Sequence, residues 1–560
     1  MNDKPWLKHY EPKLPHSLKP YPEITLLDVV KETVKDKPDY TALIFKGRKM
    51  SYAELDRLSD QFAAALSNLG VKKGERVVSL LPNSPQAIIA QLGVWKAGAI
   101  TAPMNALYTE RELEQMLNEI GAETVIVLTP FYAKLKSVQA KTPVKRVIAS
   151  NIKDYLSPLL KFLFTVAKEK KEGHRITLQP GDYWWSDLMS QSANAPRPNI
   201  SIGIDDPAIL LFSGGTTGLP KAALGSHHAL YMSARQLHAY AATTLDDWTD
   251  RITLVMPMFH VYGNMAFNTS LVARWPMVVI PNPRDIDDLV AEIRKERPAV
   301  LHGVPTLFIA LLNHPKVKAG QVDFKSMKVC YSGAAPLLLE TKKRFEALTG
   351  GWLLEAYGMT ETMLAAVVCP VHAPYKEGST GIPLPDVEVR IVDVNDDSKT
   401  LPACEIGEVI IRAPQLMSCY WNRPRETADM LREGWCYTGD IGYLDEDGYL
   451  FIVDRKKDLI KPASGFQVWP REVEEVIAAH PAVFDVSVAG VPTKEQSEVV
   501  KAWIVLRGGA QATEEDIVKH CRERLAGYKV PKLVEFRDQL PKTMVGKVLR
   551  RNLVAEDNKR

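Results

Sequence analysis

The chain has 560 residues, 46% hydrophobic and 24% charged, which is ordinary for a globular protein and too long for a single hydrophobic core, so several packed domains are expected. A formal charge of only +3 argues against a broad basic field for nucleic acid. The six cysteines, Cys330, Cys369, Cys404, Cys419, Cys436 and Cys521, stand far apart with no CxxC pair; this points to reduced thiols in a cytosolic protein rather than to disulfides or a zinc site.

In chain order, the opening MNDKPWLKHYEPKLPH carries charges and prolines but no apolar core of a secretory signal. Residues 76–81 (RVVSLL) read as a strand and 84–97 as a helix. Further buried strands are expected at 124–128, 208–212, 252–256, 277–280, 300–303 and 328–331. Strands separated by helices imply an α/β fold, with parallel-type sheets covered on both faces. The segment 155–167, YLSPLLKFLFTVA, is followed by Lys168, Lys170 and Lys171 and is too short to span a membrane. Packing on the protein's own body is the favoured reading, and weak contact of 155–171 with the inner face of a membrane is the alternative.

Around 386–393 and 407–412 the period changes to two (VEVRIVD, GEVIIR), as in half-buried antiparallel strands of a small β-barrel-like part. After Asp454 the charged run DRKKD precedes a small α+β unit. Its helices are expected at 470–479 and 514–525, and its strands at 486–489 and 502–506. A boundary at this run divides the chain into a large N-terminal domain, 1–454, and a small mobile C-terminal domain, 455–560.

Ser213-Gly214-Gly215-Thr216-Thr217-Gly218-Leu219-Pro220-Lys221 comes directly after the apolar strand AILLF. Glycines let backbone N–H groups turn toward an anion, while hydroxyls and a lysine add donors, which suits a polyphosphate. It is not a Walker A loop, because Leu-Pro separates Gly218 from Lys221.

This loop resembles that of the adenylate-forming superfamily of acyl-CoA synthetases, adenylation domains and firefly luciferases, and the overall likeness is to bacterial long-chain fatty acid–CoA ligases. Ala222 stands where the family usually has glycine. Four more segments resemble the family's in the expected order. Tyr357-Gly358-Met359-Thr360-Glu361 implies a tyrosine stacked on adenine, a threonine at the α-phosphate and a glutamate on Mg²⁺. Tyr437-Thr438-Gly439-Asp440 implies an aspartate on the ribose hydroxyls, and Arg455 in Asp454-Arg455 is also implied at the ribose. Pro541-Lys542-Thr543-Met544-Val545-Gly546-Lys547 ends on the implied adenylation lysine, Lys547. Gly333, Ala334 and Ala335 in SGAAP resemble the adenine-binding strand end.

The resemblance implies an enzyme that uses ATP, Mg²⁺ and coenzyme A. It would activate a carboxylic acid as acyl-adenylate and transfer the acyl group to the CoA thiol. Thr216, Glu361 and Lys547 are the implied catalytic groups, and Thr216 and Glu361 the metal site. His260, Val261 and Tyr262 would wall the acyl pocket. Gly465 and Lys461 would line the CoA tunnel, although IKPASG has one residue more than the family before Gly465. Gln467 joins the nucleotide contacts, and Lys457 is the implied hinge. No covalent nucleophile is needed, and the pair His227-His228 reads as structural.

A medium- to long-chain fatty acid is the favoured substrate. An aryl acid of the 4-coumarate type and the loading of a carrier protein are the alternatives, but no carrier segment is visible. A cytoplasmic location is expected, and a homodimer is compatible with the sequence.

Overall fold

The computed structural model describes residues 4–213, 220–335, 337–460, 462, 468–492, 498–542 and 548–557. Two large sheets build the N-terminal part. In the first, the strand order is Cys419–Tyr420, Ala222–Ser226, Pro207–Phe212, Ile100–Pro103, Arg76–Leu80, Thr124–Leu128, Arg146–Ser150 and Tyr183–Trp184. In the second, Thr41–Phe45, Met277–Val279, Ile252–Leu254, Val300–Gly303, Val329–Ser332 and Trp352–Met359 run parallel in that spatial order. Every strand expected from its apolar run in these two sheets is present, with ends moved by at most two residues.

One hydrophobic core joins strands of both sheets. Helices Pro85–Lys96 and Val261–Ala273 lie within it with every residue buried. Both helices bury their polar side chains as well, Asn264 Nδ2 donating to Gln91 Oε1 at 2.9 Å between them, so neither keeps a solvent face. Gly263 permits this packing: a Cβ there would fall 2.2 Å from the carbonyl oxygen of Met256.

Beyond Trp352–Met359 the pairing turns antiparallel through Leu364–Val368, Ser379–Pro383, Leu450–Arg455, Trp435–Leu444, Gly407–Arg412 and Glu388–Val392. The period-two segments are antiparallel neighbours, and Gly407–Arg412 is buried at five of its six positions rather than half-buried. They continue the second sheet as an open ladder among the described residues.

The small C-terminal domain has its own sheet of Val483–Pro492, Glu498–Leu506 and Leu533–Phe536. Helices Pro470–Ala478 and Glu514–Arg522 flank it over a separate core that includes Ile460, Val473, Ile477, Val488, Ile504 and Ile517.

One expectation changes. Residues 158–167 do form a helix, Pro158–Ala167, but none of its residues is fully buried: Phe164 is half-buried against His174, while Leu159, Leu160, Phe162, Leu163 and Val166 are exposed. The boundary run itself, from Asp454 to Asp458, is tied to the segments that follow it. Asp454 is buried and accepts hydrogen bonds from the Arg471 N–H at 2.8 Å and from Arg550 Nη1 at 3.3 Å. Arg550 also reaches Asp458 at 3.0 Å and Glu474 at 2.7 Å. Charges carried by distant segments fold back on the run, and spacing along the chain does not reveal that.

Candidate active site

The Gly/Thr-rich loop connects two antiparallel strands, with Phe212 opposite Ala222. Its neck is closed by the Ser213 N–H donating to the Lys221 carbonyl at 2.9 Å. Gly214, Gly215, Thr216, Thr217 and Gly218 lie outside the described residues. At the neck, Lys221 places its ammonium 4.7 Å from the centre of the Tyr420 ring, a cation–π distance. The buried Tyr420 hydroxyl donates to Oε1 of Glu361. Burial, then the Glu361 charge, push this hydroxyl far above the usual tyrosine range, so it stays a donor.

Glu361 is held from a second side, since the Met417 N–H donates to its carbonyl at 2.9 Å. Thr360 and Glu361 form the buried turn Thr360–Thr362 at the end of Trp352–Met359. The ladder slips register between Tyr357 and Gly358, which re-aims the strand end. Met363 and Leu364, with φ of 49° and 96°, reverse the chain. A sequence motif that looked linear is therefore a strand end, a slip and a tight turn.

Asp440 gathers the next group. The Tyr357 hydroxyl donates to its Oδ2 at 2.6 Å, and Arg455 Nε lies 3.0 Å from Oδ1. The Asp440 N–H donates to Thr438 Oγ1 at 3.0 Å, and Thr438 donates to the Val409 carbonyl at 2.7 Å. The Asp440 charge is the foremost cause of the raised Arg455 pKa. Desolvation first, and Asp440 second, hold the Tyr357 hydroxyl far above its usual value. Each carboxylate oxygen has two lone pairs, so acceptor capacity remains for a diol.

Gly333, at the end of Val329–Ser332, faces the Tyr262 ring: a Cβ added there would stand 3.5 Å from it. Ala334 is exposed with φ of 68°, and Ala335 is half-buried. The Tyr262 hydroxyl donates to the Tyr331 carbonyl at 2.8 Å. His260 caps the helix that carries Val261 and Tyr262, its Nδ1 accepting from the Tyr262 N–H at 3.2 Å. These pocket candidates therefore sit beside the adenine-site candidates. His227 packs edge-on against Trp95, and burial lowers its pKa to about 4, so it is a neutral core residue.

In the C-terminal domain, Lys461, Gly465, Gln467 and Lys547 lie outside the described residues. The necks of their loops are described: Ile460 and Val468 exchange backbone hydrogen bonds of 3.0 and 3.1 Å, and Lys542 bridges antiparallel to Val548. Lys457 is exposed in the turn Lys456–Asp458, while Lys456 pairs with Glu408 at 2.7 Å. Tyr420 and Glu408 complete the arrangement, and no sequence motif points to either. A buried tyrosine hydroxyl needs a partner, but only the pairing of Cys419–Tyr420 with Ala222–Ser226 brings it to Glu361.

The profile of AMP-binding enzymes matches residues 30–421, and that of the AMP-binding enzyme C-terminal domain matches 472–547. The chain belongs to the AMP-binding enzyme family. Among curated members, a long-chain-fatty-acid–CoA ligase of Bacillus subtilis (strain 168) is 37% identical, over 99% of this chain and 98% of its own length. A ligase of the same name from Escherichia coli O157:H7 is also 37% identical, over 98% of each. Among solved structures, an anthranilate CoA ligase, AuaEII, in complex with anthranoyl-AMP has a TM-score of 0.83 at 25% identity, covering 96% of this chain and 98% of that one. ATP-bound MatB from Rhodopseudomonas palustris has a TM-score of 0.82 at 30% identity, covering 96% and 99%.

Acid–CoA ligases of this family use ATP, Mg²⁺ and coenzyme A. The residues here fit the metal. Mg²⁺ keeps several waters and takes one or two carboxylates plus substrate phosphates, and Glu361 is a buried carboxylate held by the Tyr420 hydroxyl, on a residue whose backbone carbonyl is held by the Met417 N–H. Among the described residues no cluster of three or more His, Cys, Asp or Glu forms a protein-only metal cage.

Proposed function

We propose that the acid activated by this AMP-forming acid–CoA ligase is a medium- to long-chain fatty acid. The observation that carries this reading is the full-length likeness, at 37% identity, to ligases named for long-chain fatty acids. An aryl acid is the second reading, favoured by a feruloyl-CoA synthase of Amycolatopsis sp, 30% identical over 92% of this chain and 95% of its own length. CoA-dependent AMP release, measured for saturated acids across chain lengths and for 4-coumarate and ferulate, separates the two. The fatty-acid reading expects the highest kcat/KM with a saturated acid, and a higher value with either aryl acid would replace it.

The chemistry assigned to the residues derives from charge. Carboxylate attack on the α-phosphorus brings anions together, so fixed donors and cations must meet the charge that develops. Bound Mg²⁺ would supply positive charge at the phosphate oxygens, with Glu361 and Thr216 as its protein ligands. Thr216, Lys221 and the backbone of the loop cradle the phosphates, and Thr360 approaches the α-phosphate. Asp440 and Arg455 hold the ribose, and Tyr357 with Gly333, Ala334 and Ala335 borders the adenine. Lys547 bridges the substrate carboxylate and the α-phosphate. Val261, Tyr262 and His260 wall the acyl chain.

The domains divide at 454/455, and rotation at Lys457 exchanges Lys547 for the Gly465 face, where the thiol enters beside Lys461. The reading includes a cytoplasmic enzyme that touches a membrane surface peripherally through 155–171.

A further inference from the structure

One face of the second sheet carries a row of side chains that no motif marks. Period-two alternation puts His302 on the same face as Val300, and Tyr331 on the same face as Val329. Their strands are parallel and in register, with His302 beside Tyr331 and Val300 beside Val329. Gly333 follows at the strand end, next to the Tyr262 ring. The row therefore runs from a glycine through a pair of rings to a pair of valines.

The rings form one unit. His302 and Tyr331 stack, with centroids 5.6 Å apart and planes 18° from parallel. The Tyr262 ring meets His302 edge-on at 5.8 Å, and the Tyr262 hydroxyl is fixed on the Tyr331 carbonyl. Stacked and edge-on contacts of this kind hold rings in place.

Exposure changes sharply along the row. Val300 and Val329 are fully buried, whereas His302 and Tyr331 are half-buried. Their remaining surface does not face bulk solvent. Burial is the foremost cause that holds the Tyr331 hydroxyl far above the tyrosine range and pushes the His302 imidazole down to about 4, against a smaller upward pull from the Thr253 backbone. The two rings thus border a space inside the protein, and the valines close it. A neutral imidazole borders an alkyl chain without the cost of desolvating a charge. His302 Nδ1 is buried with no hydrogen-bond partner among the described residues, so no side-chain network accounts for a histidine here.

We propose that the stacked pair of His302 and Tyr331 is the floor of the acyl pocket and sets the longest chain the enzyme uses well, so that its best substrate is a medium-chain acid. This rests on the fatty-acid reading and narrows it. Gly333 leaves the entry beside Tyr262 free of a side chain, and a chain entering there meets the rings two residues further along the strand. Two residues of parallel strand span about 7 Å, the reach of a short alkyl segment.

The test is kcat/KM, from CoA-dependent AMP release, for hexanoate, octanoate, dodecanoate, palmitate and 4-coumarate. The unmodified protein should do best with octanoate or dodecanoate and fall off at palmitate. His302→Ala should raise the palmitate-to-octanoate ratio about tenfold or more, because each further methylene that gains a buried place contributes about fourfold. Tyr331→Leu should move the ratio the same way, and His302→Trp the opposite way. A hole in the core lowers stability, but a ratio between two acids does not depend on how much of the protein is folded. A best rate with palmitate in the unmodified protein, or an unmoved ratio in all three variants, overturns the proposal. A best rate with 4-coumarate removes the fatty-acid reading and the medium-chain assignment together; a ratio still moved by His302→Ala would then uphold the floor alone.

Discussion

Asp440 and Arg455 stand directly opposite each other on adjacent antiparallel strands, with the Arg455 Nε 3.0 Å from Asp440 Oδ1. Tyr357, from a strand far off in the same sheet, donates to the other oxygen. Three segments separated along the chain are tied at one carboxylate, whose direction is set by protein bonds. Such preorganisation lets binding energy go to a ligand instead of to ordering the site, and on the proposed assignment that ligand is the nucleotide.

Tyr357→Phe removes one bond to that carboxylate and keeps the ring. A hydrogen bond to a charged group contributes about 1.5–3 kcal/mol, and Arg455 still holds the other oxygen, so KM for ATP should rise about tenfold with a smaller change in kcat. Steady-state kinetics at saturating acid and CoA measure this. An unchanged KM with a lower melting temperature would reduce Tyr357 to a packing residue.

Glu361→Gln keeps size and removes the anionic oxygen that a hard divalent cation prefers. Mg²⁺-dependent pyrophosphate exchange should be lost in a folded protein. Tyr420→Phe acts one step further out, since its hydroxyl orients Glu361. Removing such a support typically costs about 10–100-fold in metal affinity, so activity should recover as magnesium is raised. Normal exchange at low magnesium in both variants would take Glu361 away from the metal.

Lys547→Ala should abolish adenylation and spare thioester formation from supplied acyl-AMP. On the proposed assignment its charge acts only while the carboxylate approaches phosphorus, and losing it should cost on the order of a hundredfold to a thousandfold. Assaying the two half-reactions separately decides it; equal losses in both contradict the division of labour.

Lys457→Pro should trap one domain orientation, because proline fixes φ and restricts the residue before it. Pyrophosphate exchange should persist while acyl-CoA output falls steeply. Asp454→Asn weakens contacts from the run to Arg471 and Arg550, so it should change the partition between half-reactions less steeply than proline and lower the melting temperature. Matched losses in both half-reactions for Lys457→Pro would make Lys457 a surface lysine and nothing more.

The sequence by itself determined the α/β class, the parallel strands and the family. Apolar runs of strand length need burial on both faces, and the ordered set from Ser213 to Lys547 has few other readings. It also placed Asp440 and Arg455 in one site through the family motifs. Tertiary structure alone decided that Tyr420 orients Glu361, that Asp454 and Arg550 bind across the boundary run, and that the apolar stripe of Pro158–Ala167 faces outward. Each of these depends on which partner a side chain meets in space. A buried hydroxyl or carboxylate must find one, and periodicity says which face is apolar without saying what covers it. For the helix at 158–167 the same spacing fits a buried face and an exposed one equally, and only the position of its anchored ends sets which it is.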